Sequence, residues 1–243
     1  MTSVSRAYVR RQAGIIARLA QSANATLKKR IKDTEDWDDV ARIMSETCKS
    51  YTDMSAALTA QYYAGIRAAS KVKSKYQPVA YSGYNADAVY SATISILDEV
   101  QSGAATVDVM GLLGNVANRE IKNAADRCVN ANVKRDPDKP RYAIVPDGDA
   151  CAFCQMRASL GYTYSDEDAV ESHDHCTCTA TPVFGNQKIE GYDPEAYRAK
   201  YDEARDALRS GDISEELQER IDAGNYDKTS QILMVMREQQ GIH

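Results

Sequence analysis

The stretch from Cys151 to Cys178 decides most of what this sequence can form. It opens with Cys151-Ala-Phe-Cys154 and closes, after a spacer, with His173-Asp-His-Cys-Thr-Cys178. Two cysteines separated by two residues present both sulfurs from one turn, as in zinc knuckles, and the second group can complete a tetrahedral site. Such a site has four positions, so the spacing leaves open which four of the six donors bind: Cys151, Cys154, His173, His175, Cys176 and Cys178.

A structural zinc ion is the favoured occupant of this segment. Thiol redox motifs lack a downstream cluster of donors, and disulfides need an oxidising compartment. The N-terminus has no continuous apolar stretch like that of an export signal, which indicates synthesis and use in a cytoplasm. Sulfur-rich coordination leaves zinc little Lewis acidity, so we expect a closed site that contributes folding energy. The remaining cysteines, Cys48 and Cys128, fall in predicted helices and are expected to be buried.

Enzymatic chemistry has weaker support in the sequence. It contains no GxxxxGK[ST] loop, no GxGxxG after a strand, no GxSxG elbow and no H-E-x-x-H pair. His173 or His175 could act as a base in a metal-dependent hydrolase, and this is the alternative hypothesis. The acidic run Asp166–Glu171 would suit a hard cation, but acids in the first turn of a helix explain it more simply. The sequence therefore favours a non-enzymatic protein without a small-molecule substrate.

The first 135 residues are predicted to be predominantly helical. Apolar residues recur at helical spacing in the first thirty residues, with basic residues around them. After an acidic break at residues 33–39, a second pattern continues to about Lys75, as one long helix or as two helices end to end. The helical spacing of apolar residues resumes at Val89. Glycines between residues 103 and 114 weaken this pattern, and it recovers in residues 115–132.

The segment Asp136-Pro-Asp-Lys-Pro140 is the clearest boundary, because two prolines cannot continue a helix. Arg141–Val145 is predicted to be a short strand. Asp193, Ser214 and Asp227 are predicted to begin three further helices. The expected division is a helical domain at 1–135, a zinc-binding module at 136–190 and an acidic helical C-terminal segment at 191–243. The fold class is mainly α: long N-terminal helices, a small irregular α+β zinc-binding module, and short C-terminal helices.

Charge is distributed unevenly along the chain. Residues 1–75 carry 14 Lys and Arg against 7 Asp and Glu, whereas residues 146–243 carry 9 against 20. This asymmetry suggests that the two ends face different partners, although solvated helix faces explain it equally well. The net charge of −5 argues against nucleic acid as the main ligand. No apolar run approaches the ~18 to 20 residues that span a bilayer, so we expect no membrane partner.

The cysteine segment and its flanks resemble a known family. The resemblance rests on Tyr142-Ala-Ile-Val-Pro146, Cys151-Ala-Phe-Cys-Gln-Met-Arg-Ala-Ser159, Gly161, Tyr164-Ser165, His173-Asp-His-Cys-Thr-Cys178 and Pro182-Val-Phe184. This pattern is similar to that of the Mu F-type minor head (head morphogenesis) proteins of tailed bacteriophages, particularly the version in phages of actinobacteria. In that match His173, Cys176 and Cys178 align with the family motif H-x-x-C-x-C, and His175 is an extra donor.

The resemblance implies a low-copy minor capsid protein of a phage or prophage. It would be assembled in the host cytoplasm and lie in the head interior or at the portal vertex of the virion. The implied partners are the portal protein and the major capsid or scaffold protein, with DNA contact through the basic N-terminal helices. Some family members are maturation proteases, so the alternative hydrolase would be a capsid protease or a nuclease. No convincing protease triad is present in the sequence.

Overall fold

The protein is mainly helical with one small sheet. A computed structural model describes residues 3–34, 36–102, 108–148, 150–163 and 176–242. In these residues the elements follow the order α1 (Arg6–Ile31), α2 (Trp37–Ala69), α3 (Ala86–Gln101), α4 (Val109–Arg135), β1 (Arg141–Val145), α5 (Ala152–Ser159), β2 (Thr179–Val183), α6 (Pro194–Ser210), α7 (Glu215–Ala223) and α8 (Lys228–Gln240). The fold class predicted from the sequence is confirmed.

Four long helices form the N-terminal part of the structure. Helix α2 packs against α1, α3 and α4, and α1 also packs against α4. Leu27, Met44, Leu97 and Leu113 bring one buried side chain from each helix into a shared apolar cluster. The amphipathic stripes predicted from the sequence therefore face one another, which removes their apolar surface from water.

Helix α2 settles an alternative that the sequence left open. It is one uninterrupted helix, begun by Asp36, whose carboxylate accepts a hydrogen bond from the backbone N–H of Asp38. It ends at Ala69, before the predicted end near Lys75.

The glycines at the start of α4 do not interrupt it, contrary to the expected dilution. Asp108 caps this helix at the N–H of Gly111, so it begins several residues earlier than predicted. A Cβ at Gly114 would lie 3.2 Å from the side-chain oxygen of Asn24. Glycine is therefore used there for the close approach of α1 and α4, and packing offsets its low helix propensity.

The predicted strand Arg141–Val145 is confirmed, and it pairs with a strand that the sequence had not defined. Strands β1 and β2 are antiparallel, with Ala143 opposite Thr181. Both strands are almost wholly buried, because they lie among α1, α2, α4 and α5. Val4, ahead of α1, also makes a bridge to Ile189 beyond β2, so the two regions are tied together.

The C-terminal helices begin where the capping residues predict. Asp193, Ser214 and Asp227 each accept a backbone N–H from the first turn of α6, α7 and α8. Helices α6 and α8 pack against α5, with Ala152 and Met236 fully buried between them. The three-part division of the chain stays a prediction. No helix in the described ranges combines the length and apolar character needed to cross a bilayer.

Candidate metal centre

The first two cysteines lie at the start of α5. Cys151 is the N-cap residue, and its sulfur accepts a hydrogen bond from the backbone N–H of Cys154 at 3.5 Å. The Cys-Ala-Phe-Cys spacing places Cys154 in the first helical turn, where its side chain is buried. The other two cysteines, Cys176 and Cys178, directly precede β2. Pairing of β2 with β1 holds them beside α5.

Three of the four sulfurs converge on one point. The Sγ atoms of Cys154, Cys176 and Cys178 all lie within 4.8 Å of one another, and those of Cys154 and Cys176 are 3.5 Å apart. A tetrahedral zinc ion with bonds of ~2.3 Å would hold its sulfurs about 3.8 Å apart. The three thiols therefore have a spacing that fits a thiolate-bound metal ion. No disulfide joins any of the six cysteines, all of which belong to the described part of the chain.

Mutual contact of the sulfurs opposes their ionisation. The thiols of Cys151, Cys176 and Cys178 raise the pKa of Cys154, and burial adds to this effect. Cys154 by itself lowers the pKa of Cys178, but Cys176 and burial outweigh it and leave that pKa raised. Several thiolates so close together repel one another, and a bound cation reverses this preference for the protonated form. The cluster has the chemistry of a cation site rather than that of an activated nucleophile.

A buried ion pair lies next to the sulfurs. Lys122 and Asp126 are one turn apart on α4, with Nζ and Oδ2 separated by 2.5 Å. Together with Cys176 and Cys178 they line a cavity of about 490 Å³ between α1, α4 and β2. Sequence reasoning missed this pair. The only available signal was the i, i+4 spacing of opposite charges within residues 115–132, which is usually a feature of exposed helix surfaces.

The predicted donors divide between described and undescribed parts of the chain. Cys154, Cys176 and Cys178 come together, and Cys151 adjoins them through the backbone of Cys154. His173 and His175 lie outside the described residues, as does the acidic run Asp166–Glu171. The six-donor assignment and the hydrolase alternative that uses the histidines stay predictions. Cys48 and Cys128 are fully buried in α2 and α4, as expected.

The fold and this centre define a mainly helical protein with a cysteine cluster that could hold a metal ion. A family model described as VG15 protein matches residues 1–204. The chain belongs to this phage-associated family. No curated protein and no solved structure matches the chain.

Proposed function

We propose that this protein is a minor structural component of a phage head, of the Mu F type, with a structural zinc site. The observation that carries the proposal is the convergence of Cys154, Cys176 and Cys178 in a chain of a phage-associated family. The spacing of these cysteines matches the motif on which the resemblance to minor head proteins rests.

The metal would act as a cross-link between distant parts of the chain. Cys151 and Cys154 belong to the start of α5, whereas Cys176 and Cys178 lead into β2. The same region packs against the ends of α2 and α4 on one side and against α6 and α8 on the other. One ion bound there would therefore connect the N-terminal helices with the C-terminal ones. A fourth protein ligand, for which Cys151 is the adjoining described candidate, would close the site and make it structural, since catalytic zinc keeps one position open for water.

Charged surfaces at the two ends support a role in assembly. The first 32 residues contain eight basic and no acidic side chains, and Arg11, Arg18 and Lys29 lie exposed on one face of α1. Helix α7 exposes Glu215 and Glu219 on its outer face. We propose that α1 meets an acidic portal surface or packaged DNA, and that the C-terminal helices meet basic surfaces of capsid or scaffold protein.

Metal analysis of the purified full-length chain tests the zinc site. We expect about one zinc per chain, lost in Cys154→Ser and Cys178→Ser, because each removes a thiolate ligand. Cys48→Ala is the matched control, since Cys48 is an equally buried cysteine outside the cluster. A chain without metal, or with metal that survives both cluster substitutions, would rule out the zinc site.

Location in the particle tests the role in the head. We expect the protein in purified virions and procapsids, and we expect it to co-purify with the portal protein. Charge reversal of Arg11, Arg18 and Lys29 should reduce that association, and the wild-type complex should weaken with added salt. Absence from both particles at any copy number would refute the proposed function, whatever the metal content.

A further inference from the structure

Lys122 places a positive charge in the interior of the protein. Its side chain is 11% exposed and that of its partner Asp126 is 3% exposed. Taking two such charges out of water is unfavourable, and well-packed apolar residues of similar volume often stabilise a fold equally well. Stability of α4 alone therefore does not account for a Lys–Asp pair at this position.

The position of the pair relates it to the sulfur cluster. Lys122 and Asp126, on α4, line the same cavity as Cys176 and Cys178. Helix α4 packs directly on β2, the strand that follows these cysteines, so the pair and the cysteines are fixed relative to each other.

The net charge of a thiolate-bound metal ion suggests a role for the ammonium group of Lys122. A divalent metal held by three thiolates and one neutral donor carries one net negative charge, and one held by four thiolates carries two. A buried anion is unfavourable unless a cation lies near it. We propose that the ammonium group of Lys122, held in position by Asp126, lies nearer to the sulfurs than that carboxylate does and is the counter-ion of the thiolate metal site. This inference rests on the proposed metal site and gives Lys122 a role in setting its zinc affinity.

Metal affinity of the full-length chain tests this role. Cobalt(II) titration, followed by the sulfur-to-cobalt absorption band, would report thiolate coordination, and competition with a chelator would give the zinc affinity. We expect Lys122→Met to weaken zinc binding about 10- to 100-fold, the usual effect of changing a residue that supports metal ligands. Lys122→Arg should restore most of the affinity, because it keeps the charge.

The chain offers a matched control in Lys49→Met. Lys49 and Asp53 form the same i, i+4 pair on α2 at 2.7 Å, but their side chains are 62% and 50% exposed. Removing that charge should leave zinc affinity unchanged.

A second comparison separates the loss of the Lys122 charge from an effect of misfolding. Lys122→Met alone leaves Asp126 buried without its cation, which can unfold the chain. The double variant Lys122→Met/Asp126→Asn removes both charges and is compared with Asp126→Asn alone. We expect the double variant to bind zinc more weakly than Asp126→Asn does. Wild-type zinc affinity in both Lys122 variants would overturn the counter-ion role while leaving the metal site intact. A wild-type chain that binds neither cobalt nor zinc would overturn both.

Discussion

Asn132, fully buried on α4, pairs with the backbone of Val79 through both atoms of its amide group. Its Oδ1 accepts the N–H of Val79 at 2.8 Å, and its Nδ2 donates to the carbonyl of Val79 at 2.9 Å. The same Oδ1 accepts the hydroxyl of Tyr76 at 2.8 Å. One side chain therefore replaces a strand partner for the extended segment between α2 and α3, and holds that segment against the end of α4.

Removing this amide should destabilise the protein. Asn132→Ala leaves the peptide groups of Val79 and the hydroxyl of Tyr76 without their partner, so we expect a loss of about 2 kcal/mol in the free energy of unfolding. Urea unfolding followed by circular dichroism measures it. Asn225→Ala, at an exposed loop position, serves as the control and should change little. Equal stability of the two variants would contradict the role assigned to Asn132.

The ion pair between Arg67 and Asp136 should matter more than the surface pairs. Arg67 Nε donates to Asp136 Oδ2 at 2.8 Å, and the two side chains are 10% and 0% exposed. Arg67→Met leaves the buried carboxylate of Asp136 without its cation. We therefore expect the free energy of unfolding, measured with urea, to fall by about 3 to 5 kcal/mol. Arg42→Met breaks two exposed ion pairs on the same helix, with Asp39 and Glu46, and should have no measurable effect. Similar urea-unfolding midpoints for Arg67→Met and Arg42→Met would contradict the expectation that the buried pair contributes more.

Cys48 and Cys128 should resist alkylation in the folded protein. Burial raises the pKa of Cys48 from about 9 to about 12, and that of Cys128 to about 11. At pH 8 the reactive thiolate is therefore scarce and inaccessible. Mass spectrometry after iodoacetamide treatment should find both residues unmodified, and modified once guanidinium is added. Rapid labelling of the native chain at either position would show that these helices open.

The same two thiols make stability depend on alkaline pH. Because their folded pKa values exceed the ordinary value of about 9, the folded state keeps protons that the unfolded state loses. Their contribution is complete below about pH 9 and declines as the pH rises toward 11. Cys128→Ala should flatten this decline in urea unfolding between pH 8 and pH 11. If the stability of Cys128→Ala declines with pH as steeply as that of the wild type, the Cys128 thiol is not a source of this pH dependence.

The cap of α6 should make a modest local contribution. Asp193 Oδ1 accepts the backbone N–H groups of Glu195 and Ala196 at 3.1 and 3.3 Å. Asp193→Ala should lower the free energy of unfolding by about 1 kcal/mol, whereas Asp193→Asn keeps an acceptor and should lower it less. Thermal unfolding of the three proteins gives the order, and a larger loss in the Asn variant would exclude a capping role.

Local signals account for the parts of the fold that were predicted correctly. The N-caps at Asp193, Ser214 and Asp227 and the strand at Arg141–Val145 follow from side-chain chemistry within a few residues, which a sequence displays directly. The start of α4 was misplaced because Gly114 weakens the helical pattern, while contact with Asn24 of α1 offsets that cost. The second strand was missed because both its faces are buried, and such a strand shows no alternation.

By itself, the sequence determined that this protein is mainly helical and that its cysteines occur in two groups suited to a metal. The helical periodicity of apolar residues, the helix caps and the Cys-x-x-Cys spacing are short-range properties, so they can be recognised without knowledge of the fold. The tertiary structure decided which of the candidate donors converge, namely Cys154, Cys176 and Cys178, and that Lys122 lines the same cavity as two of them. The position of Lys122 depends on how α4 packs against β2, and no short-range pattern in the sequence specifies that packing.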